Sequence, residues 1–129
     1  MSADRTEVEE ALGRIRFTET GLVPAIVQQW DSHEVLMMGW MDAEAFRRTM
    51  TEGRVTFWSR SRREYWRKGD TSGHVQYVKG IALDCDGDTL LVTVEQIGAA
   101  CHTGERTCFD AGRLTPVVGA SPGIDAHDL

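Results

Sequence analysis

The stretch Asp84-Cys85-Asp86-Gly87-Asp88-Thr89-Leu90-Leu91-Val92-Thr93-Val94-Glu95-Gln96, continued by Cys101-His102-Thr103-Gly104-Glu105-Arg106-Thr107-Cys108-Phe109, decides how the rest of the chain is read. Its apolar, β-branched middle is a strand. The run Val75-Gln76-Tyr77-Val78-Lys79-Gly80-Ile81-Ala82-Leu83 just before it is a second strand, so the two pair antiparallel across Asp86-Gly87. All three cysteines of the protein lie in this stretch, and three aspartates surround the first. Thiolate is a soft ligand that suits zinc, while carboxylate suits magnesium or calcium.

Geometry sets what these side chains can do. Side chains on an extended chain alternate faces. An extended 84–88 segment puts Asp84, Asp86 and Asp88 on one face and Cys85 on the other. A tight turn instead gathers the carboxylates round its tip. Three crowded carboxylates repel unless a cation or water compensates. An acidic Asp-Gly turn is more often only a solvated turn. The Asp-x-Asp-x-Asp start imitates a calcium loop, but Thr89 stands where that loop needs glycine, and a strand follows. Free cysteines are commonly buried thiols. Cys101 and Cys108, however, sit in a polar Gly/Thr-rich stretch beside His102. Three thiolates on zinc leave one tetrahedral position open, and open zinc sites are usually catalytic because bound water then ionises near neutral pH. His102 either moves protons there or closes the site as fourth ligand.

With 129 residues, 41% hydrophobic and 26% charged, the chain is sized for one globular domain. A net charge of −6 argues against wholesale nucleic-acid binding. An odd number of cysteines points to a reducing cytoplasm and to metal rather than disulfides. The polar, acidic start does not read as a targeting peptide, and no apolar run reaches membrane-spanning length.

Val8, Leu12 and Ile15 recur at helical spacing, with Gly13 as a stop, giving an N-terminal helical segment over residues 1–15. Residues 22–30 and 34–41 read as a hairpin about Asp31-Ser32-His33, with His33 a solvated turn residue. Asp42 caps a helix over residues 43–52; Phe46 and Met50 face the core and Gly53 ends it. Residues 54–59 form the next strand. From Arg60 to Lys68 there are five cations and one anion, followed by Gly69-Asp70-Thr71-Ser72-Gly73-His74. Cations, hydroxyls and glycines together suit phosphate oxygens. Trp58, Tyr65 and Trp66 offer stacking faces, so single-stranded RNA is the rival ligand and a solvated basic face the plain alternative. The small, acidic chain favours a discrete phosphorylated metabolite. Residues 111–129 read as a weakly ordered tail. The expected fold is α+β: a mainly antiparallel sheet of five to six strands with one or two helices.

Several motifs in register resemble the phosphoribosyl-AMP cyclohydrolase family of histidine biosynthesis. They are Ser59-Arg60-Ser61-Arg62, Trp66-Arg67-Lys68-Gly69-Asp70-Thr71-Ser72-Gly73-His74, Asp84-Cys85-Asp86-Gly87-Asp88, and Cys101-His102-Thr103-Gly104 through Cys108-Phe109. Pro24-Ala25-Ile26-Val27-Gln28 and Glu34-Val35-Leu36-Met37 agree as well, so the resemblance spans residues 16–110, the expected domain. Tyr65, Gln29-Trp30 and Gly39-Trp40 depart from the usual pattern. The resemblance implies hydrolytic opening of the purine ring of 1-(5-phosphoribosyl)-AMP between N1 and C6. It implies zinc on Cys85, Cys101 and Cys108, and magnesium on Asp84, Asp86 and Asp88. It makes His102 a candidate general base and Arg60, Arg62, Lys68, Thr71 and Ser72 candidate phosphate contacts.

It also implies a cytoplasmic homodimer in which one chain supplies Cys85 and the other Cys101 and Cys108. Spacing alone permits this without requiring it: a strand of about eight residues carries the chain roughly 25 Å from Cys85 before Cys101 is reached. The competing class is a non-enzymatic zinc-stabilised dimer or RNA-binding module. A nucleobase deaminase is excluded because the His-x-Glu and Pro-Cys-x-x-Cys pair is absent.

Overall fold

The computed structural model describes residues 2–118. Two helices and six strands follow in the order α1 Ser2–Arg14, β1 Val23–Gln29, β2 Val35–Met41, α2 Ala43–Glu52, β3 Thr56–Ser59, β4 Glu64–Arg67, β5 Gln76–Leu83 and β6 Leu90–Gln96. This is the α+β class expected. The strands do not share one sheet, however. Four form a sheet in the order β2-β1-β6-β5, and β3 with β4 makes a separate two-stranded ribbon. β1 pairs antiparallel with β2, and β5 with β6, as expected. β1 and β6 run parallel, Ala25 opposite Leu90 and Gln29 opposite Val94, so the sheet is mixed.

The period-2 pattern fixes which face is covered. Val23, Ala25 and Val27 of β1 and Leu90, Val92 and Val94 of β6 are buried. They join Leu36, Met41, Phe46, Val55 and Phe57 in one core, to which Val8 of α1 and Ile15 just beyond that helix are added. Each large apolar side chain buried there contributes about 1.5–3 kcal/mol. Gly39 belongs to this packing. A Cβ at that position would lie 2.4 Å from the Phe57 ring, so only glycine lets β2 approach β3 this closely.

α2 is built as its sequence requires. Asp42 Oδ1 accepts from the Ala45 amide at 2.8 Å, satisfying one free donor of the first turn. Gly53 ends the helix in the left-handed region at φ 72°. Phe46 is buried as expected, but Met50 is exposed. It lies in the last turn of α2, where it borders an open cleft of about 290 Å³ with Ala11, Ile15 and Leu83 instead of being covered by them. α1 runs through Gly13 to Arg14 instead of stopping at the glycine. Residues 111–118 are exposed and carry no helix or strand; the rest of the expected tail, 119–129, lies outside the described residues. No helix among the described residues is long and apolar enough to cross a membrane.

Candidate active site

The 84–89 connection is a turn, not an extended segment. Gly87 donates to the Asp84 carbonyl at 3.0 Å, and the Asp84 amide donates to the Thr89 carbonyl at 3.0 Å. Gly87 has φ 76°, and a Cβ there would sit 2.7 Å from the Arg14 carbonyl oxygen. Its own carbonyl accepts from the Arg16 amide at 2.6 Å, tying the end of α1 to the turn. Asp84 Oδ1 accepts from the Asp88 amide at 3.0 Å and the Thr89 amide at 3.3 Å. Desolvation works to raise the Asp84 carboxyl, but these backbone donors outweigh it and hold it below the usual carboxylate range. Asp86, Asp88 and Cys85 are exposed at the tip, and the Cys85 thiol lies 3.8 Å from Asp86 Oδ1.

Cys101 and Cys108 sit at the other end of β6, on a loop held at several points. Ala100 donates to the Arg106 carbonyl at 3.0 Å, and Gly104 to the Cys101 carbonyl at 3.0 Å. The Cys108 amide donates to the Leu36 carbonyl at 2.8 Å, fixing the loop against β2. Arg106 braces it from below, giving Gly98 O a hydrogen bond at 2.9 Å and meeting the Glu34 carboxylate at 3.4 Å.

Thr103 Oγ1 donates to the Cys101 sulfur at 3.1 Å. That bond, ahead of a contact from Cys108 and the charge of Lys68, lowers the Cys101 thiol below its ordinary value. Desolvation, then the neighbouring Cys101, pushes Cys108 up. The two shifts run in opposite directions, so Cys101 gives up its proton more readily than Cys108. Two soft sulfur donors on one constrained loop are the donor chemistry zinc prefers. Among the described residues, however, no three His, Cys, Asp or Glu side chains converge as a metal-holding group. Cys85 is separated from the pair by the whole of β6, about 23 Å at 3.3 Å per residue. His102 lies between the two cysteines in sequence and is exposed.

The basic segment divides into two places. Arg60, Arg62 and Arg63 occupy the exposed β3–β4 turn, with Arg60 4.8 Å over the Trp40 ring. Trp40, Trp58 and Trp66 border a cleft of about 480 Å³ beside it. Thr71 and Ser72 lie past the far end of β4, exposed on the turn that follows Gly69. Two cations of the basic run are already engaged within the chain. Arg67 binds the Asp70 carboxylate at 2.9 Å. Lys68 is buried, its Nζ donating to the Ala100 carbonyl at 2.5 Å within the field of both Cys101 and Cys108. Burial lowers its ammonium against the pull of those sulfurs. Lys68 thus belongs with the cysteine loop, whereas Arg60 and Arg62 stand apart from it. Tyr65 is engaged as well, its ring 5.0 Å from Trp58 and its hydroxyl on Asp42.

One residue beside the site was not singled out from sequence. The half-buried His74 packs on Gly98, where a Cβ would lie 2.7 Å from the imidazole, so the 69–74 turn abuts the cysteine loop. Its only sequence signal was its place at the end of Thr71-Ser72-Gly73-His74.

The family model for phosphoribosyl-AMP cyclohydrolase matches residues 37–110, which include every candidate residue above from Trp40 onward. A phosphoribosyl-AMP cyclohydrolase from Leifsonia xyli subsp. xyli is 78% identical over 117 residues, covering 91% of this chain and 94% of its own. One from Clavibacter michiganensis subsp. michiganensis is 66% identical over 119 residues, covering 92% and 90%. One from an Arthrobacter species is 70% identical over 117 residues, covering 91% and 84%.

Proposed function

Because the chain belongs to the phosphoribosyl-AMP cyclohydrolase family, hydrolases of histidine biosynthesis, we propose that it opens the purine ring of 1-(5-phosphoribosyl)-AMP by zinc-dependent hydrolysis of the N1–C6 bond. The observation that carries the reading is the constrained Cys101–Cys108 pair, with Cys85 held at the opposite end of β6. Two thiolates come from one chain and the third from a second copy, so a homodimer has two equivalent sites. Residues 16–110 are the catalytic unit, working in the cytoplasm.

Zinc, when bound to Cys85, Cys101 and Cys108, supplies the Lewis acidity that activates water at neutral pH. The chain's own residues do the rest. His102, on the loop joining two of the ligands, takes a proton from the water that adds to C6. The N1–C6 bond breaks, N1 is protonated, and C6 leaves as the carboxamide carbon of the formimino-aminoimidazole carboxamide ribotide. The carboxylates of Asp84, Asp86 and Asp88 would hold magnesium, whose positive charge would offset the charge of the substrate phosphates. Arg60 and Arg62 serve one phosphate. Thr71 and Ser72 serve the other from the turn beside the cysteine loop. Lys68 belongs to this second group and steadies the loop's negative charge from inside.

The test is an ultraviolet assay of ring opening with phosphoribosyl-AMP, run with and without chelator. Turnover that stops on zinc removal and returns with zinc is expected. Full turnover by rigorously zinc-free protein would sink the proposal.

A further inference from the structure

The cleft beside the β3–β4 turn is walled by three indoles, Trp40 of β2, Trp58 of β3 and Trp66 of β4. Two of these walls are braced from behind. Trp58 meets the Tyr65 ring edge to face at 5.0 Å, and Tyr65 is itself fixed by its bond to Asp42. Trp66 lies 5.3 Å from the buried Phe57 ring, for which Gly39 leaves room. Rings held this way give up little freedom when a ligand covers them. Trp30 donates its indole N–H to Glu95, whereas among the described residues the three indoles of the cleft donate to nothing.

The Trp40 wall carries the charge. Arg62 reaches Glu64 at 3.9 Å and Arg67 reaches Asp70 at 2.9 Å. Arg60, by contrast, meets no carboxylate among the described residues, and its guanidinium lies 4.8 Å over the Trp40 ring. Stacking occupies one face of that plane and leaves the N–H groups on its edge unengaged. A guanidinium held flat with its donors free is ready to receive a phosphate. The cleft also adjoins the cysteine loop. Lys68 Nζ lies 5.2 Å from the Trp66 ring centre and donates to the Ala100 carbonyl, next to Cys101. Leu36, whose carbonyl accepts the Cys108 amide, is four residues from Trp40 on the same strand, roughly 13 Å away. One small molecule can therefore touch both places.

We propose that this cleft seats a pentose 5-phosphate, the C–H face of the sugar lying on the indoles and the phosphate on the edge of Arg60. Trp40 is the positioning residue that holds Arg60 there. This rests on the ring-opening reading, in which the base reacts at the cysteine loop and its two phosphoribosyl arms lie elsewhere. It adds the surface that takes one arm and the ring that fixes its cation. An indole also stacks a flat base, so sugar and base are tested separately.

Binding is read on the zinc-loaded full chain, without turnover. The indole N–H signals of the four tryptophans are followed in a proton–nitrogen correlation spectrum while ribose 5-phosphate, ribose or adenine is added. Ribose 5-phosphate should shift the Trp40, Trp58 and Trp66 signals saturably and leave Trp30, engaged by Glu95, in place. Ribose at the same concentrations should not. Adenine shifting these three signals more than ribose 5-phosphate would put a base in the cleft and overturn the assignment, as would no shift with ribose 5-phosphate. Trp40→Leu removes the ring under Arg60, and Arg60→Lys keeps the charge but not the plane. Each should weaken ribose 5-phosphate about tenfold, with Trp40→Phe weakened less. Unaltered affinity in both Trp40→Leu and Arg60→Lys overturns the positioning role. In the ring-opening assay these two variants should raise KM about tenfold and change kcat little, and a loss confined to kcat overturns the binding role. Binding as expected in a protein that does not open the ring would overturn the reaction and leave the cleft assigned.

Discussion

The Tyr65 hydroxyl donates to Asp42 Oδ2 at 2.7 Å while Asp42 Oδ1 accepts from the Ala45 amide at 2.8 Å, so one carboxylate starts α2 and anchors β4 to it. Arg48 lies 4.3 Å over the same ring. Desolvation first, then the hydrogen bond to Asp42, pushes the Tyr65 phenol up to about 12 from its ordinary 10.0.

A raised acid pKa stabilises the fold below the unfolded value and loses that contribution as pH climbs through the folded one. Stability should therefore decline between pH 10.0 and about 12 as Tyr65 ionises more readily in the unfolded chain. The shift is worth about 1–2 kcal/mol after allowance for solvent screening of this half-buried group. Tyr65→Phe should cost about 1.5–3 kcal/mol at neutral pH, the usual loss for a bond to a charged acceptor. It should also flatten this alkaline decline. Urea unfolding at several pH values checks both, and an unchanged alkaline slope in the variant would remove Tyr65 as the cause.

His102→Ala should keep its zinc and lose activity by about 10²–10⁴-fold, the usual weight of acid–base catalysis. Metal analysis alongside turnover separates the roles. Zinc lost together with the imidazole would make His102 a ligand.

Asp86→Asn should weaken the response to magnesium and leave zinc content nearly unchanged, as the proposed assignment of hard donors to magnesium and soft donors to zinc requires. A magnesium titration of activity, with zinc measured on the same samples, gives the answer. A fall in zinc content would mean that the two sites are one.

Cys85→Ala and Cys101→Ala should each be nearly inactive, yet activity should partly return when the two are mixed and exchange subunits. A shared site leaves each heterodimer with one end free of both substitutions. Inactivity despite demonstrated exchange would place all three ligands in a single chain.

Much of this was legible because the signals were local. Asp42 and Gly53 bracket α2 in the sequence as they do in space. The β1/β2 and β5/β6 hairpins follow from alternation and turn residues a few positions apart. What was missed depends on distance or on mixed character. Nothing near β1 announces that it will lie parallel to β6, more than sixty residues later. β4 was hidden because its charged residues read as a solvated loop. Yet Trp66 and Tyr65 stand opposite Phe57 and Trp58 across the ribbon, and these cross-strand aromatic pairs are contacts that only the fold brings together. Lys68 was read as a candidate phosphate contact. A long apolar stem lets its ammonium reach Ala100 O from inside, which no spacing rule reveals. The candidate metal residues and the strand between them were legible as chemistry and spacing, while the fold was needed to show that among the described residues the two ends do not converge within one chain.

The Arg16 amide bonded to Gly87 O gives the acidic turn a distant reporter. A backbone proton held by a carbonyl exchanges with solvent only when that bond opens. A movement that carries the Gly87 carbonyl away releases this proton, although Arg16 itself belongs to the stretch just after α1. Deuterium uptake at one arginine near the start of the chain therefore records how firmly the centre of the acidic turn is held.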